Sequence, residues 1–121
     1  MTTEQNKAVV RRFFEAFEAN DLAAMKEVLA PDLVAYTHGQ PAPTGRDAML
    51  QSVSVWNASF ETHYTIDEQI AEGDKVAAML RYNYTDPETG QKRVMFGTNI
   101  YGFREGQISD FWGFWRPERA E

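Results

Sequence analysis

The chain has 121 residues, the usual size of one domain, and its 43% of hydrophobic residues excludes a disordered chain, so we expect a single domain over residues 1–121. The net charge is −6 and the basic residues are scattered, which argues against nucleic acid or an anionic membrane surface as a partner. The absence of cysteine excludes disulfides, thiolate catalysis and zinc–thiolate sites.

The amino-terminal segment has neither the basic start nor the apolar run of a signal peptide. No stretch of the chain approaches the ~20 apolar residues that a membrane-spanning helix needs. We therefore expect a cytoplasmic protein with no membrane contact.

Two helices are predicted at the start of the chain. The first covers residues 4–19, where apolar residues recur every three or four positions and Thr2 with Gln5 forms a capping-box pattern. The second covers residues 22–29 and is ended by Pro31.

A strand, a loop and a third helix are predicted next. The strand covers residues 33–37, and residues 38–45 form a loop rich in glycine and proline. The third helix covers residues 46–60, with an apolar stripe that contains Met49, Val53 and Trp56.

The second half of the chain is predicted to form long strands joined by short turns. The strands cover residues 63–72, 75–85, 92–104 and 107–115. Such strands form an antiparallel meander, and three helices packed on one face of it give an α+β domain.

Five local sequence phrases stand in order along the chain. They are VVRRFFEAF (9–17), NDL (20–22), TGRDA (44–48), AEGDKV (71–76) and YGFREGQI (101–108). In this order they resemble the nuclear transport factor 2-like superfamily and, within it, the SnoaL-like branch. The resemblance implies a cone-shaped, strongly curved, mostly antiparallel sheet (a cystatin-like roll) packed against three amino-terminal helices, with a pocket between them. It also implies a homodimer formed through the outer face of the sheet.

Side chains alternate between the two faces of a strand, so the resemblance also assigns residues to the pocket. The expected ligand-binding set is Phe13, Tyr36, Trp56, Tyr82, Asn99, Tyr101, Phe111 and Trp115. Ile100, Trp112 and Phe114 are assigned to the outer face. Large apolar residues on both faces of the last strand indicate that a second subunit covers the outer one.

Known chemistries of this fold are incomplete in the sequence. The first-helix tyrosine, the base and the oxyanion acid of ketosteroid isomerases fall on Phe13, Thr37 and Asn99, so only Asn99 could donate a hydrogen bond. The Asp-Arg-Asp set of the epoxide hydrolases falls on Leu80, Tyr82 and Gly113. The carboxylate of SnoaL-like cyclases also falls on Gly113.

Two residues remain candidates for proton transfer. His38 lies in the predicted loop at the pocket mouth, and histidine is a common general base in enzymes, although a histidine in a loop is more often simply exposed. Asp110 lies an odd number of residues before Gly113 and is expected to point outward unless a β-bulge turns it inward. His38 and His63 are far apart with no carboxylate at ligand spacing, so we expect no metal and no cofactor.

Three functional hypotheses follow. The first is a SnoaL-like cyclase, isomerase or hydrolase that acts on a small, apolar, ring-containing carbonyl compound, with Asn99 and a tyrosine holding the carbonyl. The second is a non-catalytic module that binds such a compound, and the third is a structural dimer whose pocket is filled by side chains. Catalysis requires an ionisable group inside the pocket, and a pocket below ~300 Å³ favours the structural dimer.

Overall fold

Three helices lie in the first half of the chain, in a computed structural model that describes residues 2–41 and 45–117. Each begins and ends within one residue of its predicted bounds: α1 spans Thr3–Glu18, α2 spans Leu22–Val28 and α3 spans Arg46–Ser59. The Thr2 side chain accepts a hydrogen bond from the Gln5 backbone and the Gln5 side chain accepts one from the Thr2 backbone, which confirms the capping box. No helix of the described residues is long and apolar enough to cross a membrane.

Within the described residues, six strands form one sheet. They are β1 (Leu29–Thr37), β2 (Gln40–Pro41), β3 (Thr62–Glu72), β4 (Lys75–Thr85), β5 (Lys92–Arg104) and β6 (Gln107–Pro117). Their order across the sheet is β2-β1-β6-β5-β4-β3. Only β1 and β6 pair in parallel, and every other neighbouring pair is antiparallel. The predicted α+β fold with a curved, mostly antiparallel sheet and three helices is therefore confirmed.

The first strand differs most from its prediction. It begins at Leu29, directly after α2, because Leu29 and Ala30 are buried and continue the chain into the sheet. Its pairing with β6 is interrupted between Leu29 and Val34, where Pro31 is exposed and has no N–H for the ladder. The predicted loop that follows contains the two-residue strand β2, and its residues 42–44 lie outside the described part of the chain.

Two β-bulges interrupt the pairing of the long strands. One lies in β3 between Ile66 and Glu68, and the other lies in β6 at Ser109, where Gly102 pairs with Asp110 and Phe103 pairs with Ile108. A bulge bends its strand and increases the local twist, so both contribute to the curvature of the sheet.

The hydrophobic core lies between the helices and one face of the sheet, here called the inner face. The helices contribute Val9, Val10, Phe13, Phe14, Met25 and Val53, and the strands contribute Leu33, Val76, Leu80, Tyr101 and Ile108. The same layer continues into the walls of a cavity.

Candidate functional site

A cavity of about 250 Å³ lies between the helices and the inner face of the sheet. Helices α1 and α3 form one wall, and every strand except β2 contributes to the rest. The lining residues are Phe13, Phe14, Phe17, Ala35, Thr37, Met49, Ser52, Val53, Trp56, Tyr64, Tyr82, Met95, Asn99, Phe111 and Trp115. Tyr64 was not among the residues predicted to line the pocket, although the alternation of side chains along β3 could have placed it there.

Six of the eight residues expected at the ligand line the cavity. They are Phe13, Trp56, Tyr82, Asn99, Phe111 and Trp115. Tyr101 does not line it: its side chain is fully buried, with 0% exposure, and lies against Asn99. That the six lining residues contact a ligand stays a prediction.

Tyr36 lies on the opposite face of the sheet, so the expectation that it faces the cavity is wrong. Because β1 runs parallel to β6, Tyr36 pairs with Trp112, and the two rings stack with centroids 6.1 Å apart. Its neighbours Ala35 and Thr37 are the residues of β1 that reach the cavity. Only the pairing partner of β1 could have shown this phase.

Neither candidate for proton transfer lines the cavity. His38 is exposed in the turn after β1, and its ring meets the ring of Trp115 edge-on at 6.0 Å, from outside the cavity. Asp110 lies opposite Gly102 and accepts a hydrogen bond from the Ser109 hydroxyl at 2.9 Å. The bulge at Ser109 precedes Asp110, so Asp110 stays in phase with Trp112 and points outward. Neither side chain is placed to move a proton on a compound in the cavity.

Asn99 is held by three aromatic side chains. Its Nδ2 donates hydrogen bonds to the hydroxyl oxygens of Tyr82 at 2.9 Å and Tyr101 at 3.0 Å. Its Oδ1 accepts a hydrogen bond from Trp115 Nε1 at 3.1 Å, and the same Nε1 lies 3.0 Å from the Tyr82 hydroxyl. These four side chains form the polar cluster of the cavity. The buried amide is therefore paired within the protein, as a buried polar group requires.

The phenols at and behind the cavity wall are neutral at physiological pH. Burial raises the pKa of Tyr82 to about 12, although hydrogen bonds from Asn99 and Trp115 oppose this shift. Burial, followed by repulsion from Tyr82, also raises the pKa values of Tyr64 and Tyr101. These groups therefore act as hydrogen-bond donors or acceptors rather than as bases.

Two glycines create the space that Trp115 occupies. A Cβ atom at Gly97 would lie 2.5 Å from Trp115 Cδ1, and one at Gly113 would lie 2.8 Å from Trp115 Cζ2. Glycine inside a strand often marks such a close approach, and this signal was present in the sequence. The indole therefore lies flat enough over β5 and β6 to reach Tyr82 and Asn99.

The described lining residues include no carboxylate, imidazole, amine or guanidinium group. Within residues 2–41 and 45–117, no group of three or more His, Asp or Glu side chains could hold a metal ion. The chemistry that these walls offer is burial of apolar surface and hydrogen bonding from hydroxyl groups.

Solved structures share this fold over nearly the whole chain. IdmH from Streptomyces antibioticus, a candidate polyketide cyclase, superposes with a TM-score of 0.83 and 25% identity, covering 92% of this chain and 91% of IdmH. AclR from Streptomyces galilaeus, a candidate hydroxylase, gives a TM-score of 0.84 with 19% identity, covering 95% of this chain and 91% of AclR. A computationally designed 17-OHP binder gives 0.78 with 17% identity, covering 93% of each chain. At under 25% identity, the last two show the fold alone.

Sequence comparison shows the family. No curated protein is significantly similar to the chain in sequence. The sequence profile of the SnoaL-like domain matches residues 10–111, which include every described lining residue of the cavity except Trp115. The chain therefore belongs to the SnoaL-like domain family.

Proposed function

We propose that the chain is a cytoplasmic protein that binds a small, apolar, ring-containing carbonyl compound in its cavity. The observation that carries this proposal is the composition of the walls: aromatic and aliphatic side chains surround one polar cluster, and no described lining residue is a general base. A designed protein of the same fold binds 17-OHP, so the fold can hold a small organic ligand.

The size of the cavity limits the ligand. A cavity of about 150 Å³ is known to hold one benzene ring, whereas typical ligand pockets begin at ~300 Å³. At about 250 Å³, the cavity fits a compound of one or two rings better than a larger one. This volume lies below the ~300 Å³ limit under which a structural dimer is favoured. That hypothesis also requires side chains to fill the space, however, and the described side chains leave it open, so binding is the function we propose.

Binding is expected to be measurable with tetralone, a two-ring ketone, by equilibrium dialysis. Ser52→Phe places a ring at the cavity mouth and is expected to weaken binding at least tenfold, because Ser52 is exposed and also lines the cavity. Gln51→Phe is the matched control, since Gln51 is exposed on the same helix and does not line the cavity. If the wild-type protein binds neither tetralone nor its hydrocarbon counterpart tetralin, and native mass spectrometry finds no compound retained after purification, the proposal is wrong.

A catalytic form of this function is the second candidate, and the 25% identity with the candidate cyclase IdmH favours it. A hydroxyl donor in an apolar cavity can polarise a carbonyl group for ring closure. Because no described lining residue is a base, the substrate must be acidic enough to lose the proton next to its carbonyl group to water. An open-chain diketone that closes with loss of water tests this candidate. Equal closure rates with the wild type and with Ser52→Phe would exclude it.

We also propose that a second copy of the chain covers the outer face of the sheet. Met79, Phe96 and Phe114 lie on this face and are 48%, 50% and 43% exposed, next to the partly buried Ile100 and Trp112. Adjacent exposed apolar side chains of this size usually mark an interface.

The oligomeric state tests this second proposal. Phe96→Glu combined with Phe114→Glu is expected to convert a dimer into a monomer in analytical ultracentrifugation, because two charges would be buried at the contact. Val55→Glu is the control, since Val55 is 63% exposed but lies on α3, on the other side of the sheet. A wild-type protein that is monomeric at micromolar concentration contradicts the proposal.

A further inference from the structure

We infer that the Tyr82 hydroxyl is the hydrogen-bond donor that selects the compound in the cavity. The cavity then prefers a ring compound with an acceptor oxygen, such as a ketone, to the corresponding hydrocarbon. This inference rests on the proposed function, because it requires a compound in the cavity.

The orientation of the Asn99 amide follows from its neighbours. An indole N–H can only donate, so the Asn99 side-chain atom 3.1 Å from Trp115 Nε1 is the oxygen. The amide nitrogen then faces the two phenols, and its two hydrogens are directed to the hydroxyl oxygens of Tyr82 and Tyr101. Asn99 is 2% exposed, and both its amide nitrogen and its amide oxygen are hydrogen-bonded, so the amide holds one orientation.

The Tyr82 oxygen receives two donors. Asn99 Nδ2 lies at 2.9 Å and Trp115 Nε1 at 3.0 Å, and the single indole hydrogen is shared between this oxygen and Asn99 Oδ1. Both contacts use the Tyr82 oxygen as an acceptor. No described residue accepts the hydrogen of the Tyr82 hydroxyl itself, and this side chain lines the cavity. The hydrogen is therefore available to an acceptor on a bound compound. Asn99 and Trp115 are positioning residues, since they act through Tyr82.

The other hydroxyls of the cavity wall differ from that of Tyr82. The Ser52 hydroxyl donates to the backbone oxygen of Ala48 at 3.0 Å. Among the described residues, no hydrogen bond orients the hydroxyls of Thr37 and Tyr64. Tyr64 packs against Tyr82, with ring centroids 4.8 Å apart, and also lines the cavity. Like Tyr82→Phe, Tyr64→Phe therefore removes a phenol hydroxyl group from the cavity wall, but it does not disturb the polar cluster.

The experiment compares the affinities of tetralone and tetralin, which differ by one carbonyl oxygen, in equilibrium dialysis. In Tyr82→Phe the tetralone-to-tetralin affinity ratio is expected to fall by about threefold to tenfold relative to wild type, the range of one net hydrogen bond. In Tyr64→Phe the ratio is expected to stay within about twofold of the wild-type ratio. Comparing the ratio of each variant with that of wild type cancels the general hydrophobic difference between the two compounds. Tetralin binding shows whether each variant keeps its cavity.

Each outcome decides a different statement. An unchanged ratio in Tyr82→Phe, or an equal fall in Tyr64→Phe, overturns the inference and leaves the proposed function intact. Failure of the wild type to bind either compound overturns the proposed function, and the inference with it. Should Tyr82→Phe not fold, Trp115→Phe removes one of the two donors to Tyr82, and a ratio equal to that of wild type in this variant also overturns the inference.

Discussion

Replacing Asn99 with alanine is expected to lower the free energy of unfolding by about 2–3 kcal/mol, because it leaves the buried Tyr101 hydroxyl without a partner and removes one of the two donors to Tyr82. Tyr101 loses its hydrogen bond from Asn99 and is 0% exposed, so water cannot easily replace the amide. Tyr82 keeps its second donor, Trp115 Nε1. Urea denaturation monitored by far-ultraviolet circular dichroism measures the loss, which is large relative to the roughly 5–15 kcal/mol typical of a domain.

A second substitution separates the missing partner from simple loss of packing. Tyr101→Phe alone is expected to destabilise the protein by about 1 kcal/mol, since it leaves one Asn99 hydrogen unpaired. In the Asn99→Ala background the same substitution is expected to stabilise, because the unpaired hydroxyl is removed. Asn83→Ala is the control at an exposed position of β4 and should change stability by no more than about 0.5 kcal/mol. Simple additivity of the two cluster substitutions would contradict this account.

Gly97→Ala is expected to displace the Trp115 indole and to cost about 1–3 kcal/mol of stability. The new methyl group would lie 2.5 Å from Trp115 Cδ1 and 3.1 Å from Tyr82 Cε2, closer than carbon atoms pack. Since Trp115 Nε1 donates to both Tyr82 and Asn99, the same shift is expected to break the polar cluster and weaken tetralone binding. Denaturation and equilibrium dialysis measure the two effects.

The contact with Trp115 is tested by a double-mutant cycle. In a Trp115→Leu background, the cost of Gly97→Ala is expected to fall markedly, because the closest clash is with the indole. It does not vanish, since a Cβ atom at Gly97 would also lie 3.1 Å from the Phe114 backbone oxygen. An identical cost in both backgrounds would show that the glycine is required for another reason.

The described lining of the cavity includes no general base. Thr37 and Asn99 both line the cavity, and the resemblance implies that they stand where a ketosteroid isomerase has its base and its oxyanion acid. Binding by shape, with one oriented hydroxyl donor, requires neither group. The SnoaL-like family thus provides the cavity, while the residues of this chain decide what the cavity can do.

Local sequence patterns located the helices and strands and predicted, for most strands, which side chains share a face. Capping residues and apolar spacing locate the three helices, because these signals act within one or two turns of helix. Alternation along β4, β5 and β6, together with the family resemblance, predicted that Tyr82, Asn99 and Trp115 lie on one face. Each of these strands pairs with its neighbour in the chain.

Contacts between segments that are far apart in the sequence could be read only from the three-dimensional structure. The phase of Tyr36 depends on the parallel pairing of β1 with β6, whose paired residues are more than seventy positions apart in the chain. The hydrogen-bond partners of Asn99 come from two other strands as well as its own. Because the β-bulge lies at Ser109, before Asp110, the Asp110 side chain stays on the outer face with Trp112. Local sequence patterns carry no information on such contacts, because the free energy that selects them comes from packing between segments remote in sequence.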